Sequence, residues 1–213
     1  MIDPLDLIVI MSAAALFPFL AVVATSFVKL SVVFFLVRHA IGVQNIPPNM
    51  ALNALAIILS GYIMAPVVAQ TYDILAAGHY QLDTVEGLRA AYEAARKPMV
   101  DFLTRHAAER EKHFFLEAAR ELWPKDMSAS LDTESLAVVL PSFTVTQLRE
   151  AFEIGFLLYL PFIVIDLVVS NILLAMGMMM VSPLTISLPF KLFLFVMVDG
   201  WSRLILGLVK SYA

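Results

Sequence analysis

The chain has 213 residues, 61% hydrophobic and 15% charged, with a net charge of −4 and no cysteine. A soluble domain is about half apolar and about a quarter charged, so this composition belongs to the membrane class. The acidic balance, without a basic stripe, excludes nucleic acid as a partner, and the lack of cysteine excludes disulfides, thiolate nucleophiles and Cys-ligated metals.

Charge is placed unevenly. Residues 81–149 hold 9 of the 14 Lys and Arg and 11 of the 18 Asp and Glu, whereas 7–28, 39–72 and 167–190 hold none. Each of those apolar runs exceeds the roughly 18–20 residues that a helix needs to cross a bilayer. The first segment runs from Leu7 to Val37 and contains Pro18 and Lys29. Asp3 and Asp6 precede it with no basic residue, so it reads as a retained helix rather than a cleaved signal peptide. Gly42 and Pro47-Pro48 break the chain before a second segment over Met50–Leu75, where Gly61 and Pro66 are possible kinks. The acidic start and Arg38 in the first turn place the N-terminus and the 81–144 insert outside the cytoplasm.

The insert has helical periodicity. Leu88, Ala91, Tyr92 and Ala95 recur at helix spacing, as do Phe114, Phe115, Ala118, Ala119 and Leu122. Thr84 with Gly87 is a weak N-cap signal, Pro98 is expected to separate two helices, and Trp123-Pro124 ends the second. Residues 125–141 read as a polar loop. Apolar segments three (Val145–Val181) and four (Leu184–Val209) follow, carrying the breakers Pro161, Pro183 and Pro189. The pattern predicts an all-α, membrane-associated chain of about four long kinked apolar helices. They form an N-terminal hairpin over 1–80 and a C-terminal hairpin over 145–213, separated by the helical insert over 81–144.

Two features point to function. Met176, Met178, Met179 and Met180 crowd the end of segment three, just before Pro183. Methionine is flexible and polarizable and specifies a single packing poorly, so such a run suits either a filler position or a soft constriction. The second feature is charge inside apolar sequence: Lys29, Glu150, Glu153, Asp166, Lys191 and Asp199. Each costs about 2.5–3.5 kcal/mol at a helix centre, so such groups pair or face a water-filled path. Pairing between helices or subunits is the expectation; Lys191 and Asp199, eight residues apart, could share one helix face. An ion or solute transporter with an Asp166–Asp199 relay is the alternative. His106 and His113 lack the spacing of a metalloprotease helix, and no nucleophile–base pair or phosphate loop is visible, so neither enzyme, metal nor cofactor is expected.

The order of motifs resembles the SctR/FliP family of type III secretion and flagellar export-apparatus proteins. The motifs are Thr25-Ser26-Phe27-Val28-Lys29, Leu36-Val37-Arg38-His39-Ala40-Ile41-Gly42, Phe152-Glu153-Ile154-Gly155-Phe156, Tyr159-Leu160-Pro161-Phe162 and Ile165-Asp166-Leu167. They continue through Met176-Gly177-Met178-Met179-Met180-Val181-Ser182-Pro183, Leu188-Pro189-Phe190-Lys191 and Val198-Asp199-Gly200-Trp201. The resemblance implies a non-enzymatic subunit of an export gate for unfolded proteins in the bacterial inner membrane. In such gates five copies wind together with SctS/FliQ-like and SctT/FliR-like subunits and an SctU/FlhB-like switch protein, largely raised toward the periplasm. It also implies that the methionine run forms the constriction. A chain that opens directly on its first apolar segment, without a signal peptide, favours the injectisome branch. The insert, with Phe114 and Phe115, is expected to pack laterally against neighbouring copies.

Overall fold

A computed structural model describes residues 22–43, 45–78, 80 and 85–213, together with Met11, Ala15 and Phe19. Most of the first half of segment one, including Pro18, lies outside the described residues, as do Thr84, the side chain of Leu88 and the acidic N-terminus. Among the described residues every regular element is a helix: α1 Phe27–Ile41, α2 Asn49–Ala77, α3 Val85–Arg105, α4 Glu109–Leu122, α5 Lys125–Ser128, α6 Leu136–Ala175, α7 Pro183–Met197 and α8 Gly200–Lys210.

Several boundaries differ from the sequence expectation, each for a local reason. Segment one is interrupted at residues 24–26. There the Thr25 hydroxyl donates to the Val22 carbonyl and accepts the Phe27 N–H, which competes with the helical ladder and opens α1. Pro66 and Pro98 lie inside α2 and α3, and Pro141 and Pro161 lie inside α6. Pro98 therefore does not divide the insert; the break comes at residues 106–108. Residues 136–141, expected in a loop, are the first turns of α6. Segment four is two helices, α7 and α8, bent by 59°.

Among the described residues two helices are long and apolar enough to cross a membrane, α2 with 29 residues and α6 with 40, and α7 with α8 makes a third if the bent pair is one span. Segment one is described only in part, and its described portion includes the 15-residue α1. At about 1.5 Å per residue α6 is roughly 60 Å long, about twice a hydrocarbon core.

The chain divides into two compact units: Met1–Val28 with Ser60–Gln147, and Lys29–Leu59 with Leu148–Ala213. In the first, Leu103, Val138, Val139 and Phe143 are fully enclosed, and Phe102 stacks against Phe143 at 5.8 Å. The α3–α4 connection is held to α6 by side chains. Thr146 Oγ1 accepts the Ala108 N–H at 3.0 Å, and Gln147 Nε2 donates to the His106 carbonyl at 3.0 Å. The face that α4 buries uses Leu116 and Ala119, whereas Phe114 and Leu122 are 62% and 80% exposed.

The second unit is built around α1. Leu30, Val33, Phe34, Val37, Ala40 and Ile41 fall at helical spacing and all are buried. Phe34 and Phe195 each meet the Trp201 ring edge-on. At Gly155, α6 approaches α1 so closely that an added Cβ would stand 2.3 Å from Leu36 Cδ1 and 3.1 Å from its Cβ. The bare backbone is what permits that approach.

Replacing Gly155 with leucine should therefore overpack the α1–α6 contact and destabilise the second unit by about 1–3 kcal/mol. Thermal unfolding in detergent checks this. The control is Gly61→Leu, where an added Cβ meets nothing within 4 Å; it should leave the midpoint unchanged or raise it, and equal loss in both variants would contradict the assignment.

Candidate gate: the methionine turn and its ion pairs

The methionine run is not the end of a helix, as the sequence suggested, but a turn between α6 and α7. Helix α6 stops at Ala175 because Gly177 adopts φ +74, the left-handed conformation that glycine takes without a Cβ penalty. The Met178 N–H donates to the Leu173 carbonyl at 2.9 Å and the Gly177 N–H to Leu174 at 3.0 Å. This pair of bonds is a Schellman cap, which satisfies carbonyls that the helix end would otherwise leave open. Pro183 occupies the first position of α7, where its missing N–H costs nothing and its fixed φ suits the helix.

The side chains between these two stops point away from the chain's own core. Met176 is 66% exposed, Met178 38%, Met179 82% and Met180 101%. Four adjacent thioethers held in solvent at the tip of a hairpin form an apolar patch of the kind that marks an interaction surface.

Deeper in the same hairpin lies a buried polar cluster. Lys191 Nζ is 2.6 Å from Asp166 Oδ2, with the lysine side chain 4% exposed. The Ser187 hydroxyl donates to Asp166 Oδ1 at 2.6 Å, and Lys191 also reaches the Ala40 carbonyl at 3.4 Å. One cluster thus joins α6, α7 and the end of α1. Ser187 is fully buried and escaped the sequence reading. Its position four residues before Lys191, on the same helix face, was the available signal.

A second cluster ties the C-terminus to α1. Lys29 Nζ is 2.8 Å from Glu150 and 2.9 Å from Ser211 Oγ, and it stands 4.7 Å from the centre of the Tyr212 ring. Burial, and then the nearby Glu150 charge, push the Tyr212 phenol well above its ordinary pKa, so the ring facing the ammonium is neutral. Ser211 and Tyr212 were also missed, because nothing in a short polar terminus marks it as a partner for a lysine 182 positions away.

The other sequence-predicted residues stand apart from these clusters. Glu153 is on the exposed face of α6, 3.8 Å from Arg149. Asp199 does not share a face with Lys191. It sits in the bend between α7 and α8 with φ +54, and its carboxylate accepts the Ser202 hydroxyl at 2.9 Å. Pro161 and Pro189 lie within helices, so of the three predicted breakers Pro183 alone stands at a helix end. His106 packs on Phe102 at 4.7 Å. Among the described residues no group of three His, Cys, Asp or Glu could hold a metal. The arrangement offers a soft apolar tip on a base locked by ion pairs.

Two predictions follow from this geometry. Lys191→Met should strand Asp166 without its cation and cost about 3 kcal/mol, while Lys191→Met with Asp166→Leu should recover most of that loss; chemical denaturation of the three proteins reads the difference. At the bend, Asp199→Gly should be tolerated and Asp199→Val should lower the melting temperature, since a β-branched residue in the left-handed region costs about 1–2 kcal/mol.

The sequence matches the FliP family over residues 10–208. It is 56% identical over 210 residues to the Yop proteins translocation protein R of Yersinia pestis, covering 99% of this chain and 97% of that protein. Hypersensitivity response secretion protein HrcR of Ralstonia nicotianae is 48% identical over 212 residues, with 97% of this chain and 96% of that protein covered. Virulence protein YscR of Salmonella typhimurium is 43% identical over 217 residues, with 99% and 98% covered. The chain belongs to the FliP family of export-apparatus proteins, on its type III secretion branch rather than its flagellar one.

Proposed function

We propose that this chain is a core, non-enzymatic subunit of a type III secretion export gate in the bacterial inner membrane, and that its methionine turn is the deformable constriction. The observation that carries this reading is the pairing of opposites in one hairpin. Met176, Met178, Met179 and Met180 are exposed on a turn fixed at both ends by Gly177 and Pro183. Two or three turns below, Lys191, Asp166 and Ser187 hold the helices in register. A constriction for unfolded chains of any sequence must seal without specific shape, then yield. Flexible thioethers on a fixed base provide both.

In this reading five copies assemble with SctS/FliQ-like and SctT/FliR-like subunits and an SctU/FlhB-like protein, and exported unfolded proteins pass between the methionine turns. The insert over 81–144 lies on the extracytoplasmic side. The transporter alternative needs Asp166 free to relay protons; its bonds to Lys191 and Ser187, and its separation from Asp199 at the bend, favour the gate.

Replacing Met178, Met179 and Met180 together with alanine should leave assembly intact and make the closed gate leak. The measurement is uptake of a small impermeant dye by cells expressing the complete apparatus without substrate. Wild-type tightness in a complex of normal mass would remove the constriction role.

A further inference from the structure

The turn between α1 and α2 encloses a cation that its own fold does not neutralise. Arg38 is 5% exposed. Its Nη1 donates to the Pro47 carbonyl at 3.2 Å and to Asn49 Oδ1 at 2.5 Å, and the Phe35 ring lies 5.2 Å from its guanidinium carbon. All three partners are neutral. Nε is buried with no acceptor, and among the described residues no carboxylate pairs with the side chain. The two enclosed lysines of this unit differ: Lys29 and Lys191 each hold a carboxylate, at 2.8 and 2.6 Å. A charge taken out of water is tolerated only against an opposite one, so Arg38 requires an anion from outside the chain.

The surroundings of the turn indicate which anion. Positive potential gathers there. His39 is exposed beside Arg38. Helix α2 starts at Asn49, and its ladder opens with Ala51 and Leu52 donating to the Pro48 carbonyl. The N–H groups of Asn49 and Met50, and the positive end of a 29-residue helix, therefore lie in the same turn. From it an apolar track runs along α2: Met50, Ile57 and Ile58 are 80%, 61% and 68% exposed at helical spacing, with Ala54 exposed between them. No Asp, Glu, Lys or Arg interrupts residues 39–72. A soluble anion would leave that track uncovered; an acyl chain covers it. Helix α2 is long and apolar enough to span a membrane, and a short basic turn belongs on the cytoplasmic side, where the leaflet is anionic.

We propose that the α1–α2 turn binds an anionic phospholipid of the cytoplasmic leaflet. Its phosphate balances Arg38 at the start of α2, and an acyl chain lies along Met50, Ala54, Ile57 and Ile58. Basic pockets between membrane helices suit such headgroups. The site goes beyond the gate reading and does not depend on the methionine turn being the constriction.

The test uses the full-length chain purified with its partner subunits, stripped of lipid in neutral detergent, then titrated with phosphatidylglycerol or with phosphatidylcholine of the same acyl chains. Native mass spectrometry counts the lipid bound. Phosphatidylglycerol should bind about thirtyfold more tightly or better; Arg38→Gln should remove that preference and Arg38→Lys should keep part of it. Met50→Ser with Ile57→Ser should weaken both lipids, and inorganic phosphate at equal concentration should displace neither. Where Arg38→Gln fails to assemble, the wild-type complex decides: phosphatidylglycerol should raise its melting temperature more than phosphatidylcholine does, and high salt should shrink the difference. Equal affinity for the two lipids, displacement by inorganic phosphate, or a partner subunit's carboxylate found against Arg38 overturns the lipid site and leaves the gate reading standing.

Discussion

Lys191 is the residue on which the C-terminal hairpin depends. Its ammonium is almost fully enclosed, and a buried charge is tolerated only with its counter-charge and hydrogen bonds in place. Asp166 and the Ala40 carbonyl supply them, with Ser187 saturating the far oxygen of the carboxylate. Satisfying one lysine therefore fixes three things together: how far α7 has slid along α6, where α1 ends against them, and how far the turn at 176–182 projects. A one-turn slip would leave the lysine unpaired in an apolar environment, so the register is discrete.

Everything at the tip follows from that fixed base. The Schellman cap around Gly177 ends α6 and the proline at α7's first position starts α7, so the backbone of Met176 and Met178 completes the end of α6 while the methionine side chains take no part in holding the turn. Their side chains are free to re-pack while the backbone at either end is pinned. Softness is confined to residues 176–182, and rigidity to the helices below. The Lys29 cluster does comparable work at the opposite end of α1, drawing the C-terminal Ser211 and Tyr212 onto Glu150.

How much of this was legible in the sequence depended on range. Composition and charge-free runs gave an all-helical membrane-associated chain, and the charged residues worth attention were visible because ionisable groups in apolar sequence are rare. Partnership was not legible: Asp166 and Lys191 are 25 positions apart, and the eight-residue spacing that could put Lys191 and Asp199 on one helix face is broken by the left-handed bend at Asp199. Proline was over-read. Pro98, Pro161 and Pro189 lie inside helices, whereas the real breaks at 24–26, 106–108 and 176–182 rest on Thr25, on Thr146 with Gln147, and on Gly177. Those are side-chain and backbone hydrogen bonds, several of them long-range, that single-residue propensity does not encode.

The most direct test of the central claim is a density map of the purified assembly in its closed state, resolved well enough to place side chains. The account predicts that the turns over Met176–Met180 of successive copies converge on one axis, sulfur against sulfur, with each Lys191–Asp166 pair intact behind them. Turns that face outward, away from any shared axis, would contradict it.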